Sequence, residues 1–104
     1  MRNNFYKYFF LSRKKKQMDP LVVHPVLYVL SLEDDCWYVG ISYNLNHRLS
    51  QHWTGKGAKW TRHHPPQSVA EVVYPASLDL ENQKTKELME RYGKEKVRGG
   101  SYCA

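Results

Sequence analysis

Val26-Leu27-Tyr28-Val29-Leu30-Ser31-Leu32 is an apolar, β-branched and aromatic run without glycine or proline. After the polar segment Glu33-Asp34-Asp35-Cys36 it is followed by Trp37-Tyr38-Val39-Gly40-Ile41. The first run predicts a buried strand, the acidic segment a turn, and the second run the return strand of a hairpin. Tyr28 and Tyr38 then stand on facing strands and are candidate cross-strand neighbours.

Outward from the hairpin, Asn44 to Trp53 has helical spacing, with Leu45, Arg48, Leu49 and His52 on one face. Gly55-Lys56-Gly57 and His63-His64-Pro65-Pro66 bound a stretch, Lys59-Trp60-Thr61-Arg62, that reads as loop. Val69 to Tyr74 predicts a third strand. Ser77 is a suitable N-cap for a helix running to Tyr92, with Gly93 as its stop. Val97 to Tyr102 reads as an extended tail or a short strand, broken by Gly99-Gly100. The order β-β-α-β-α predicts an α+β fold, a small three-stranded antiparallel sheet flanked by helices.

The chain has 104 residues, enough for one small domain. Its 41% hydrophobic and 25% charged content is ordinary for a globular protein and argues against pervasive disorder. No apolar run approaches the ~20 residues of a membrane span. Two cysteines, Cys36 and Cys103, offer no zinc spacing and read as free thiols in a reducing, intracellular compartment, cytoplasm or nucleus.

The net charge of +6 is unevenly placed. Arg2, Lys7, Arg13, Lys14, Lys15 and Lys16 precede Met18 with no acid among them, and the rest of the chain is balanced. Residues 1–20 therefore read as a basic, flexible arm and 21–104 as the compact domain. Arg13, Lys14, Lys15 and Lys16 are candidates for phosphate contact. Met18 also offers an alternative start. Between Gly40 and Gln67 the chain carries Arg48, Lys56, Lys59 and Arg62 with four histidines and no acid, a local cationic stretch suited to phosphates.

On a helical wheel Leu78, Thr85, Leu88, Met89 and Tyr92 form an inward cluster, and Glu81 falls in its middle. A carboxylate on an inward stripe is costly to desolvate unless it is paired or holds a metal. Arg48 and His52 share the inward face of the first helix at i and i+4, so both can reach one ligand.

Together these positions resemble the GIY-YIG nuclease family. Its first signature appears as Val26-Leu27-Tyr28, its second as Tyr38-Val39-Gly40. Arg48 follows ten residues after Tyr38, and His52 completes an Arg-x-x-x-His pattern. Gly55-Lys56-Gly57-Ala58-Lys59-Trp60-Thr61-Arg62 is similar to a stretch of the family's small members, and Glu81 stands where the family has its metal-binding glutamate. The eponymous Gly-Ile is Val-Leu here, a departure that a strand tolerates when the tyrosine is kept.

The resemblance implies a metal-dependent endonuclease that hydrolyses DNA phosphodiester bonds in a GIY-YIG-like fold. Glu81 would hold one divalent ion, Mg²⁺ or Mn²⁺, and Arg48 would contact the scissile phosphate. Tyr28 or Tyr38 would orient or deprotonate the attacking water, and His52 would share the proton work. A tyrosinate at neutral pH needs a phenol lowered by about three pKa units, about 4 kcal/mol of favourable field. Lys56, Lys59, Trp60 and Arg62, with the arm, would bind the nucleic acid. Double-stranded or branched DNA is the implied substrate, in repair or recombination. Larger members add a DNA-targeting domain that is not expected in this sequence, so its own sequence specificity is expected to be low unless a protein partner supplies it. The alternatives are a catalytically silent DNA- or RNA-binding module of the same fold and an unrelated RNA-binding domain stacking bases on Trp53 and Trp60.

Overall fold

The computed structural model describes residues 7–10 and 23–103. Lys7–Phe10 forms a short strand, β1, and the hairpin comprises β2 (Val26–Leu32) and β3 (Cys36–Ser42). Between them Glu33–Asp35 makes one tight turn, with Asp34 and Asp35 at positive φ. Helix α1 (Leu45–Trp53) follows, capped by the Asn44 side chain, which accepts from the His47 amide at 3.2 Å. Next come α2 (Lys59–His63), β4 (Pro66–Tyr74), α3 (Leu78–Tyr92) and β5 (Val97–Gly99). Ser77 Oγ caps α3 by accepting from the Leu80 amide at 3.2 Å, and Gly93 ends it at φ 105°.

The three-stranded antiparallel sheet expected from the sequence is too small and of the wrong type. The sheet is mixed, in the order β1-β4-β2-β3-β5, and four of its strands belong to residues 23–103. β2 pairs antiparallel with β3 and β4, while β5 lies parallel to β3, Trp37 opposite Val97 and Val39 opposite Gly99. The topology explains the parallel edge. α3 carries the chain from β4 over one face of the sheet and returns it along the far side of β3, as a crossover helix does for a parallel strand. Val97-Arg98-Gly99 is too short to announce itself by pattern and is a strand because Trp37–Val39 offers it a partner. β1 lies parallel to β4 on the opposite edge, with Lys7 opposite Glu71. Arg13, Lys14, Lys15 and Lys16 lie outside the described residues.

A second difference is α2, read from the sequence as loop. Five residues cannot display a helical period, and this helix is fixed by one buried side chain, Thr61, whose hydroxyl donates to the Ala58 carbonyl at 2.9 Å.

Alternation along the strands divides the interior in two. Tyr28, Leu30, Leu32 and Tyr38 point to one face with Val69 and Val72, covered by Leu45 and Leu49 of α1 and Trp60 of α2. Leu27, Val29, Val39, Val73 and Val97 point to the other, covered by Leu88, Leu80 and Met89 of α3. β2 is thus buried on both faces, which is why its sequence is continuously apolar. On α3 the buried positions are Glu81, Thr85 and Leu88. Leu78 and Tyr92, placed inward by the wheel, are exposed, Leu78 at 69%, because they occupy the first and last turns.

Candidate active site

The site is built on the α1 face of the hairpin. Register places Tyr28 opposite Gly40 and Tyr38 opposite Leu30, so the two tyrosines are diagonal neighbours on one face, ring centroids 6.3 Å apart. Gly40 is required there, since a Cβ at that position would strike the Tyr28 ring. Tyr28 is fully buried.

His52, in the last turn of α1, is 1% exposed and closes over the pair. Its Nε2 lies 2.7 Å from the Tyr28 hydroxyl and its Nδ1 2.9 Å from Thr61 Oγ1. Its ring centroid is 5.0 Å from that of Tyr38. Arg48 sits one turn earlier, half-buried, with Nη1 donating to Gln51 Oε1 at 2.8 Å and the guanidinium set against both phenol oxygens.

These surroundings fix the charge states. Burial pushes both phenols up, Tyr28 strongly, and Tyr38 adds to the rise at Tyr28; Arg48 offsets only part of it. The sequence left open whether a lowered tyrosine or His52 handles the proton; in the free protein burial holds both phenols up. Arg48 stays cationic: burial opposes its charge, and the tyrosine oxygens outweigh burial. His52 is pushed down to about 4 by burial and then by the Arg48 charge, so it is neutral at pH 7.

Glu81 belongs to α3 on the opposite face of the sheet, and the short edge strand lets it reach the site. β5 stops at Gly99, level with Val39, which leaves the β3 edge beside Gly40 free of β5. The Glu81 carboxylate is close enough to raise both tyrosines. It is 7% exposed, and its own pKa is raised by burial, while the Gly100 amide favours the charged form. No side-chain hydrogen bond satisfies this carboxylate among the described residues. No group of three or more His, Cys, Asp or Glu able to hold a metal occurs among them. A buried, underpaired carboxylate fits a hard divalent cation that takes one protein oxygen and completes its shell with water and phosphate.

Three contributors escaped the sequence reading. Thr61 was inside a quoted stretch, but nothing there pointed to His52. Gly100 turns the chain at φ 51° beside Glu81, and Cys103 lies near enough for Glu81 to raise its thiol, after burial. Asn82 points away from the site: its Oδ1 accepts from the Ser101 amide at 2.9 Å and holds the turn from Gly99 to Tyr102.

Among the expected nucleic-acid residues, Lys56, Lys59 and Arg62 are exposed. Trp60 is engaged within the protein. Its indole N–H donates to the Trp37 carbonyl at 3.0 Å, the Arg98 guanidinium lies 4.4 Å from its ring centroid, and His64 packs against it. It offers no free platform for stacking a base.

Residues 24–96 match the family model described as the GIY-YIG catalytic domain. The chain is 48% identical over 48 residues to a UPF0213 protein of Oceanobacillus iheyensis, 46% of this chain and 52% of that one. It is 48% identical over 53 residues to a UPF0213 protein of Neisseria meningitidis serogroup C, 51% of this chain and 56% of that one. With UPF0213 protein YazA of Bacillus subtilis it shares 32% over 56 residues, 54% of each chain. The chain thus spans about half the length of the curated relatives it matches. No solved structure matches it at comparable significance. With Tyr28 and Tyr38 on a mixed sheet and Arg48, His52 and Glu81 on the helices that pack on it, all inside the matched segment, the chain belongs to the GIY-YIG nuclease family.

Proposed function

We propose that this protein is a divalent-metal-dependent endonuclease that hydrolyses phosphodiester bonds in DNA. The observation that carries the reading is the Tyr28 hydroxyl 2.7 Å from Nε2 of a buried, neutral His52, beside the Arg48 guanidinium. Phosphodiester hydrolysis needs a deprotonated water, a neutralised phosphate and a stabilised leaving oxygen.

Arg48 receives the scissile phosphate, its planar fork matching two phosphate oxygens and stabilising the charge that develops on them. The attacking water sits against the phenols. Because burial disfavours a free tyrosinate, Tyr28 acts as a relay. It takes the water proton on its oxygen while its own proton passes to His52 Nε2, so no full phenolate forms. His52 is a weak base in the free protein, in part because of the Arg48 charge, and an anionic phosphate on Arg48 relieves that part. Tyr38 orients the water. Glu81 would hold the metal, Mg²⁺ or Mn²⁺, which supplies Lewis-acid stabilisation of phosphate charge when bound. Lys56, Lys59, Arg62 and the basic arm, Arg13 and Lys14–Lys16, supply phosphate affinity without chemistry.

The test is cleavage of supercoiled plasmid and branched DNA by the full chain with Mg²⁺ or Mn²⁺ and with EDTA, beside Tyr28→Phe. Metal-dependent nicking that Tyr28→Phe loses supports the reading. Binding without nicking under every metal condition would leave the silent DNA-binding module in its place.

A further inference from the structure

We propose that Thr61 is a positioning residue that fixes the tautomer of His52, holding the proton on Nδ1 so that Nε2 presents a lone pair to Tyr28. The role of that tautomer in cleavage rests on the nuclease reading above; the tautomer itself does not.

The assignment follows from counting protons along one buried string. Tyr28 oxygen, His52 Nε2, His52 Nδ1, Thr61 Oγ1 and the Ala58 carbonyl are linked in order at 2.7 Å between tyrosine and histidine, 2.9 Å between histidine and threonine, and 2.9 Å between threonine and carbonyl. A carbonyl only accepts, so the single Thr61 hydroxyl proton goes to Ala58 and Oγ1 is left to accept. The partner it accepts from is Nδ1–H. A neutral imidazole carries one N–H, so Nε2 is bare and accepts the Tyr28 proton.

The opposite direction fails at the other end of the string. If Thr61 donated to Nδ1, then Nε2–H would donate to the Tyr28 oxygen. Arg48, the other side chain hydrogen-bonded to that oxygen, has only donors. The oxygen of fully buried Tyr28 would then face two donors, and its O–H would find no acceptor among the groups hydrogen-bonded to it. The first direction gives the Tyr28 proton an acceptor at 2.7 Å, and the second turns that acceptor into a donor.

The local fold serves this arrangement. Thr61 is 1% exposed, and α2 holds it on the His52 side. Ala58, the residue before α2, also accepts from the Arg62 amide at 3.2 Å, so its carbonyl is fixed in direction. Gly57 leaves the space beside Nδ1 open, since a Cβ there would collide with the imidazole. A short helix with only modest burial of its own thus delivers one hydroxyl to one nitrogen. Through that bond Thr61 decides which imidazole nitrogen can take a proton from the tyrosine, as groups behind a ligand or base commonly orient it.

Nitrogen chemical shifts of His52, read by long-range proton–nitrogen NMR on the full chain near pH 7, report the tautomer without any cleavage. The wild-type protein is expected to show a protonated Nδ1 and a bare Nε2. Thr61→Val keeps the shape and removes Oγ1, and should shift the population towards protonated Nε2; Thr61→Ser should restore the wild-type spectrum. In single-turnover cleavage Thr61→Val should lose about 10- to 100-fold in rate with DNA affinity unchanged, and Thr61→Ser should recover most of it. A wild-type spectrum with the proton on Nε2 overturns the proposal, and does so even if Thr61→Val fails to fold. An unchanged His52 spectrum in folded Thr61→Val overturns it as well. Should the spectra agree with the assignment while no DNA is cut, the tautomer assignment stands and the nuclease reading falls.

Discussion

The Tyr28 hydroxyl meets His52 Nε2 at 2.7 Å inside a pocket where both side chains are almost completely shielded from water. Tyr28 is held by register against Gly40 and His52 by the last turn of α1, so two elements far apart in sequence commit their side chains to this one bond. Tyr28→Phe keeps the ring over Gly40 and leaves the Nε2 acceptor unpaired. It should lower stability by about 1–3 kcal/mol, the cost of a buried group stripped of its partner. Cleavage should fall by on the order of 10²-fold or more, the usual weight of a positioned proton acceptor. Denaturant melts and single-turnover rates check both, and a Phe variant that cleaves at the wild-type rate would remove Tyr28 from the proton path.

His52 gives a pH dependence with a definite sign. Its pKa is about 4 in the folded protein against 6.5 ordinarily. Tyr28 and Tyr38 from the hairpin, Arg48 from its own helix and Thr61 from α2 face it, and Arg48 is the only cation among them. Between these two values the unfolded chain binds the proton and the folded chain does not, so stability rises with pH across that window. The contribution is complete above pH 6.5 and lost as pH falls towards 4, about 3 kcal/mol in all. Glu81, raised by burial, works in the opposite sense as it protonates, so the cleaner reading is the difference between wild type and His52→Gln. A proton-NMR titration of His52 checks the origin directly, and a midpoint near 6.5 would show the site open to water.

Arg48 is asked for shape as well as charge. Arg48→Lys retains the cation and loses the planar fork that reaches Gln51 at 2.8 Å and that, on the proposed reading, would span two phosphate oxygens. The Lys variant should bind DNA nearly as well and cleave slower by on the order of 10²-fold. Binding isotherms beside turnover rates separate the two effects, and wild-type rates would mean that a point charge suffices.

The legible and illegible parts of this chain divide by range. Strand β2 could be read from its own residues because burial on both faces leaves a continuous apolar run. Capping at Ser77 was visible for the same local reason. β5 was ambiguous because three residues ending in glycine become a strand only when β3 supplies the partner. Within the site, Tyr28, Tyr38, Arg48, His52 and Glu81 carried pattern: facing strands, i and i+4, a charge on an apolar stripe. Thr61 and Gly100 carried none, since one acts through a nitrogen nine residues away and the other through a turn beside Glu81. The direction of the tyrosine shift was not legible, because sequence shows which charges are near and not how deeply the phenols lie.

The last expectation concerns the metal. Glu81 is a single buried carboxylate, and no cluster of three or more candidate ligands surrounds it among the described residues. Mg²⁺ sheds water reluctantly and relies on substrate phosphates where protein oxygens are few. One carboxylate gives a few kcal/mol of attraction at an effective dielectric near 20, about what desolvation takes back. The free protein should therefore bind Mg²⁺ weakly, on the order of millimolar. A phosphate seated on Arg48 adds the missing oxygens and should tighten the metal, and the metal must then tighten the DNA by the same factor. Calorimetric titration of Mg²⁺ into the free chain, and then into the chain holding a non-hydrolysable duplex, reads both sides of this coupling. Glu81→Gln keeps the shape of the side chain and removes its charge, so it should erase the coupling and the cleavage while leaving metal-free DNA binding intact. Micromolar Mg²⁺ binding without DNA, or coupling that survives Glu81→Gln, would place the ion on other ligands.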